Sequence, residues 1–451
     1  MHKPMLVVLL VLVAACGKSG SQDKDLVAMV QAPPGSLLVR CGMLIDGLSN
    51  AVRTAQRISI AGGRIASVTD DTGTLPDDRP VLDLRDHTCL PGLIDTHVHL
   101  ASLDSDGGNM TAIYDRSIEE TTRIAERNAR VTLQAGFTTV RNVGDYFPSA
   151  VLDLKRREMA GTLVGPRIQT AGPYLTIPAG GGDLVIPGED ESRIPPEARL
   201  GVARGAEDFA AKAEAAIDAG AEFIKVIASG AVFAFGGVPG SPEMTPEEIA
   251  AVVKVAHARG LKVTAHAHGA QSIKDAINAG VDSIEHASLA DDEAIALAAK
   301  NRVAFSMDVY NGTYTEEVGV AQGYPEEFMR KNEETTEAQR VVFEKAYAAG
   351  VPILYGTDAA VYPHGLNARQ FEIMVKRGMA PMDAIRSATS VAAEFMDMAK
   401  DVGAIEAGRY GDLIAVRGNP LDDISVLQSV DYVIKGGVVA FPEGSANPTV
   451  Q

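Results

Sequence analysis

From residue 91 to residue 358 the sequence repeats one phrase: a short run of apolar, β-forming residues, then a longer stretch with helical spacing. The runs fall at 97–99, 137–141, 166–170, 223–227, 262–266, 281–286, 303–307 and 353–358. Glycine stands shortly before five of them, at Gly136, Gly220, Gly260, Gly280 and Gly350. A glycine just past a helix takes the left-handed backbone that closes it, so helix, glycine, strand is a C-cap signature. Strands separated by helices pair in parallel, because the crossover must return the chain to the same end of the sheet. Eight such units within roughly 300 residues predict an α/β fold, a (β/α)8 TIM barrel over 91–402.

The flanks have a different rhythm. Residues 36–90 hold short apolar runs at 37–40, 57–60, 64–68 and 81–84, with a hairpin turn at Ala61-Gly62-Gly63. Residues 403–445 return to β character, with a turn at 407–412, a strand at 413–416 and a hairpin at 432–439. Both segments are expected to join in one composite β-sandwich domain beside the barrel. The stretch 172–200, rich in Pro, Gly and acidic residues, fits no repeat. An insertion at the C-terminal end of a strand overhangs a barrel's active face.

The first sixteen residues form a separate unit. Met5 to Val13 is almost wholly apolar, and about nine residues fall short of the roughly 20 that a membrane helix needs. The length suits the core of a signal peptide. Val13-Ala14-Ala15-Cys16 then resembles a bacterial lipobox. That resemblance implies cleavage before Cys16 and lipid attachment there; a plain secretion signal is the alternative. Gly17 after the cysteine favours the outer membrane. The mature chain is therefore expected to be exported and lipid-anchored, facing the periplasm, with 17–35 as its linker. Cys41 and Cys89 are the remaining cysteines. They can pair in an exported protein, although two buried free thiols are the plainer expectation. The net charge of −18, from 41 basic and 59 acidic residues, argues against nucleic-acid binding, which needs a basic face.

The chemistry lies at the strand ends. His97 and His99 are two residues apart on one strand, so both side chains leave the same side. His266, His286 and Asp358 end the fifth, sixth and eighth runs, where barrel enzymes keep their reactive groups. Lys225 stands inside the apolar run Phe223-Ile224-Lys225-Val226-Ile227. A buried ammonium is costly unless paired or neutralised. It either reaches solvent at the strand end or is carbamylated by CO2 into a carboxylate-like metal bridge.

The motifs Gly-Leu-Ile-Asp-Thr-His-Val-His (92–99), Ile224-Lys225-Val226, Ala265-His266-Ala267-His268-Gly269, Ser283-Ile284-Glu285-His286 and Tyr355-Gly356-Thr357-Asp358 occur in this order. Together they resemble the amidohydrolase superfamily, and within it the imidazolonepropionase-like branch of Xaa-Pro dipeptidases, carboxypeptidases for Arg or Lys C-termini, and ochratoxin-hydrolysing amidases. The resemblance covers roughly residues 36–440. It implies that His97 and His99 bind the more buried of two divalent ions, that carbamylated Lys225 bridges both, and that His266 and His286 bind the second. Asp358 would bind the first ion and act as proton acceptor and donor during hydrolysis by metal-activated hydroxide. Zinc suits this donor set, with manganese or cobalt as substitutes. His268 would be a neighbour or substrate contact, or the ligand in place of His266.

Substrate contacts are expected from Tyr310 and Tyr314 after the seventh run, from Arg141 pairing with a substrate carboxylate, and from His364 in the loop after Asp358. Relatives of this branch often carry Gly-Gly-His near the end of the third strand; here 171–183 contains no histidine. The function implied is cleavage of a peptide or amide bond beside a free carboxylate, in a small peptide or N-acyl amino acid. The alternatives are hydrolysis of cyclic amides, lactones or other N-acyl compounds, or deamination. A barrel kept only for binding is the non-enzymatic reading, and the complete ligand set argues against it. Relatives of this kind are often homo-oligomers, and the same is expected here.

Overall fold

The computed structural model describes residues 35–75 and 79–442. The leader, Cys16, the linker to residue 34, and residues 443–445 lie outside the described residues. Among the described residues, no helix is long and apolar enough to cross a membrane.

The two ends of the chain build one sheet. Strands β1 (Leu37–Ile45), β2 (Val52–Ala61), β3 (Arg64–Asp70) and β4 (Val81–Pro91) come from the N-terminal side. Strands β13 (Leu413–Val416), β14 (Val430–Lys435) and β15 (Val438–Phe441) come from the C-terminal side. Their order is β15-β14-β13-β4-β1-β2-β3. β4 pairs in parallel with β1 and antiparallel with β13. The halves thus meet edge to edge in a single hydrogen-bonded sheet. Val39, Cys41, Ile58, Ile60, Leu84 and Leu413 belong to its buried cluster. Because β1 and β4 are neighbours, Cys41 and Cys89 are bonded as a disulfide, with Cα atoms 5.9 Å apart. This corrects the expectation of free thiols: the pairing of β1 with β4 spans 48 residues of sequence and was not visible in it.

Between these ends run the eight strands of the repeat: β5 (Leu93–Val98), β6 (Phe137–Asn142), β7 (Arg167–Thr170), β8 (Ile224–Ile227), β9 (Val263–Gly269), β10 (Ser283–Leu289), β11 (Ala304–Ser306) and β12 (Ile353–Leu354). They form a mixed α/β core. All their pairings are parallel, in sheets ordered β5-β6-β7 and β12-β11-β10-β9-β8. Parallel bridges Val98↔Ala359 and Leu175↔Val226 link the two sheets at both edges. The backbone bonds from Asp358 N–H to His97 O (2.8 Å) and from Glu222 N–H to Thr170 O (2.9 Å) do the same.

Helices between the strands pack against them. The chain after β8 enters one (Pro246–Ala258) through a capping box, in which Thr245 accepts from the Glu248 N–H and Glu248 accepts from the Thr245 N–H. Pro246 fits its first turn, where no N–H is needed. Ile249, Val252, Val253 and Ala256 then recur at helical spacing on its buried face. They join Ile224, Val226, Val263 and Ala265 in the main core. Each buried Val or Ile contributes about 1.5–3 kcal/mol, so this face fixes β8 and β9 firmly. The next helix (Ala270–Ala279) ends at Gly280, whose φ of 98° is the left-handed cap foreseen from the sequence.

Candidate metal centre

The strand ends bring the chemistry-bearing residues to one place. His97 and His99 leave β5 towards Asp358, with Nε2 atoms 3.3 and 3.2 Å from the same carboxylate oxygen. β9 contributes His266 and His268, and β10 contributes His286. The ring centre of His286 lies 4.5 Å from that of His266, 4.8 Å from His268 and 5.0 Å from His97. One donor atom each from His266, His268 and His286 fall within 4.8 Å of one another. So do donor atoms of His97, His286 and Asp358. Lys225, His99 and all of these except His97 line one cavity of about 170 Å³. β9 and β10 each run three residues past their expected ends, so these histidines sit within strands, held by ladder bonds.

The residues fit a divalent metal. His97 Nε2 and His266 Nε2 are buried without a hydrogen-bond partner. An orphaned buried polar atom ordinarily costs about 1–3 kcal/mol. The other ring nitrogen, Nδ1, is engaged elsewhere: His97 on Glu285 (2.7 Å), His99 on the Gly144 carbonyl (2.6 Å), His286 on Asp308 (2.9 Å) and His268 on the Ser288 hydroxyl (2.8 Å). Such partners fix ring orientation and leave Nε2 as the donor atom. Burial pushes His266 well below the ordinary imidazole range, and His286, His268 and Lys225 push the same way. Burial and then His286 drive His268 down to about 3. Both rings are therefore neutral, which is the form that ligates. Burial also opposes ionisation of Asp358, but His97 and His99 outweigh it and hold the carboxyl well below its usual range. Burial lowers Lys225 to about 8, against the pull of Glu285 and Asp358.

Backbone strain concentrates here. His286 has φ 72° and Asp358 has φ 56°, in the left-handed region that costs a non-glycine residue about 1–3 kcal/mol. At β10 this has a consequence for function. Consecutive strand residues normally face opposite ways, and the twist at His286 lets both Glu285 and His286 serve one centre.

Glu285 was not anticipated from sequence. It is fully buried and accepts hydrogen bonds from His97 Nδ1, Arg141 Nη2 and Thr264 Oγ1. Burial alone would protonate it; Arg141 and His97 overcome that and hold it ionised. The only signal was an acid inside an apolar strand. Asp308 and Asn311 were missed likewise: Asn311 Nδ2 donates to Asp308 Oδ2 and to Asp358 Oδ2, each at 3.0 Å.

Four expected substrate contacts are corrected. Arg141 is buried, donates to the Thr96 carbonyl at 2.8 Å and to Glu285, and does not line the cavity. It neutralises Glu285, so no guanidinium is left for a substrate carboxylate. Tyr310 lies outside the cavity wall, its hydroxyl accepting from Arg369 Nη1 at 2.9 Å. His364 is buried between the Thr132 hydroxyl (2.9 Å) and the His99 carbonyl (3.2 Å), where burial pushes it down to about 4. Tyr314 donates to Asp104 Oδ2 at 3.3 Å, one layer behind the wall. The insertion 172–200 does reach the cavity, through Tyr174, Gly181 and Gly182. Tyr174 occupies the segment that lacks the expected histidine, with its hydroxyl 3.0 Å from His99 Nδ1.

Comparison with known proteins agrees with this geometry. Residues 88–440 match the model of the amidohydrolase family. The ochratoxinase of Aspergillus niger is 30% identical over 433 residues, covering 89% of this chain and 85% of its own. A crystal structure of a Xaa-Pro dipeptidase with methionine in its active site is 37% identical, with a TM-score of 0.83, covering 90% of this chain and 99% of that one. A prolidase complexed with N-methylphosphonate-L-proline is 28% identical, with a TM-score of 0.82 and coverage of 90% and 99%. Overall fold and sequence relationship agree: the chain belongs to the amidohydrolase family and is a hydrolase acting on carbon–nitrogen bonds.

Proposed function

We propose that this is a binuclear-metal amidohydrolase, its eight strands closed as a (β/α)8 barrel, that hydrolyses small peptides or N-acyl amino acids. The observation that carries the reading is His286, which belongs to both groups of converging donor atoms. His97, His99 and Asp358 would hold one ion and His266 and His286 the other, with Lys225 bridging as a carbamate. Forming the carbamate needs a free amine, and a buried lysine lowered to about 8 supplies a substantial neutral fraction near neutral pH. Bound there, two divalent ions would lower the pKa of water and polarise a scissile carbonyl.

The chain's own residues do the rest. Asp358 is held ionised, so it can take the proton of the attacking water and pass it to the leaving nitrogen. Asn311 holds Oδ2 of Asp358, leaving Oδ1 towards the histidines. Glu285 and Asp308 keep His97 and His286 protonated on Nδ1. The wall beyond the ligands is mostly apolar, including Met110, Ile113, Phe233 and Val361, and Lys225 is its only lysine or arginine among the described residues. This favours a small substrate with an apolar side chain, in line with the dipeptidase and ochratoxinase relatives.

We also infer export, with Cys16 as the lipid anchor. The Cys41–Cys89 disulfide supports an oxidising compartment; Cys16→Ser should release the protein from the membrane fraction. The central test is a dipeptide and N-acyl amino acid library offered to zinc-reconstituted protein, with metal analysis. The expected result is two equivalents of metal, amide turnover, and no turnover in Lys225→Ala. Undiminished turnover in that variant sinks the bridging lysine, and cleavage of cyclic imides alone sinks the substrate class.

A further inference from the structure

We propose that the Tyr174 hydroxyl is the hydrogen-bond donor to the oxyanion that forms when water adds to the scissile carbonyl. This rests on the amide-hydrolase reading above and adds the group that stabilises the tetrahedral species.

His99 Nδ1 lies 2.6 Å from the Gly144 carbonyl and 3.0 Å from the Tyr174 hydroxyl. An unprotonated Nδ1 would set two lone pairs against each other at 2.6 Å. Nδ1 therefore carries the hydrogen and gives it to Gly144. That nitrogen has no lone pair left to accept from Tyr174. Among the described residues, no other acceptor for the Tyr174 hydroxyl is recorded, and its side chain lines the cavity shared with Lys225, His266 and Asp358. The hydroxyl hydrogen is free for a substrate.

The ring is also held in place. It packs against the edge of Tyr146 (5.2 Å) and against His99 (5.7 Å). Its slot depends on glycine: a Cβ at Gly144 would lie 2.8 Å from the Tyr174 ring, and one at Gly182 would lie 3.0 Å from its Cβ. Donors fixed in advance around a developing charge cost no reorganisation, which is why an oxyanion donor is effective.

In the step itself, the water oxygen bonds to the carbonyl carbon and the π pair moves onto the carbonyl oxygen. Tyr174 O–H donates to that oxygen, and Asp358 takes the water proton. On collapse the pair re-forms C=O, the C–N bond breaks, and the Asp358 proton goes to nitrogen. Tyr174 ends unchanged.

The test is Tyr174→Phe in the metal-loaded protein, with Tyr174→Leu as a second variant read the same way. Steady-state kinetics on a dipeptide, metal content and binding of an N-phosphonyl dipeptide mimic are measured. The expected result is a fall in kcat of about 10²–10³-fold, KM within about threefold, unchanged metal content, and a loss of mimic affinity that follows kcat/KM. Undiminished kcat overturns the assignment. So does a rise in KM alone, which would make Tyr174 a ground-state contact, or lost metal, which would make it only a support for His99. A wild-type protein without amide turnover overturns the functional reading as well, whereas an active wild type with an equally active variant overturns only this one.

Discussion

Arg141→Met keeps a stem of similar length and removes the guanidinium from a site with no solvent. In the native protein that group donates to the Thr96 carbonyl at 2.8 Å and to Glu285, and lies 5.0 Å from the Phe223 ring. Without it, a fully buried carboxylate keeps only His97 and Thr264. Breaking a buried ion pair from one side costs about 3–5 kcal/mol. With an unfolding entropy of about 2.1 cal/mol/K per residue over roughly 400 residues, that is about 4–6 °C in melting midpoint. Glu285→Gln should cost a similar amount, because it leaves the cation unpaired. The double variant should cost at least about 2 kcal/mol less than the sum of the two, since each single change exposes the other's partner. Calorimetry of the metal-free proteins measures all three. Glu285→Gln should also weaken metal binding about 10–100-fold, because it loosens the orientation of His97. Additivity within about 0.5 kcal/mol, or unaltered metal affinity, would refute the claim that Arg141 acts through Glu285 on His97.

Three further outcomes are expected. His266→Ala should lose one equivalent of metal, while His268→Ala should keep both and lose turnover; metal analysis showing the reverse exchanges their roles. Burial raises Asp145 to about 8 in the folded protein, far above an exposed aspartate. A carboxyl with a raised folded pKa binds its proton more tightly when folded, so its contribution is lost as pH rises from about 4 to 8, at about 1.4 kcal/mol per unit. Asp145→Asn should therefore gain on the wild type between pH 5 and pH 8 in melting of chelated protein, and a pH-independent difference would contradict this. Removing the Cys41–Cys89 bridge by a double serine substitution frees a 48-residue loop and should cost about 4 kcal/mol, read as a lower melting midpoint under oxidising conditions that reductant reproduces in the wild type.

What was legible in the sequence follows a physical rule. The eight strands were visible because each is a short apolar run bounded by turn chemistry, and Gly280 marks a helix end by the backbone it alone takes easily. The six candidate metal positions were visible because they sit on strands or at strand ends and their residue types are rare in a core. Glu285 was not, because strand alternation points it away from His286, and only the left-handed twist at His286 returns both to one centre. Arg141, Tyr310 and His364 stand where substrate contacts were sought, but a position along a strand does not tell which partner consumes the side chain. Their partners Glu285, Arg369 and Thr132 lie 144, 59 and 232 residues away. The pairing of β1 with β4, and with it the disulfide, was hidden for the same reason.

The division between the histidine cluster and the wall bears on what this family member can recognise. His266, His268 and His286 lie within β9 and β10, His97 lies within β5, and His99 and Asp358 are tied by backbone bonds to the strands beside them. Their positions are set by ladder bonds and by core packing, which tolerate little movement. The wall is different: Leu103, Met110 and Ile113 follow β5, Tyr174 and Gly182 follow β7, Phe233 follows β8, and Val361 follows Asp358. These positions lie in the connections between strands, outside the ladder bonds. Changes at Met110 or Phe233 should therefore alter which amide is accepted while leaving metal content intact, whereas any change that moves β9 or β10 should lose both. The segment 171–183, which holds Tyr174 and no histidine, belongs to this wall. Tyr174 stands in that loop against His99, so substrate choice should follow the wall more than the histidine cluster.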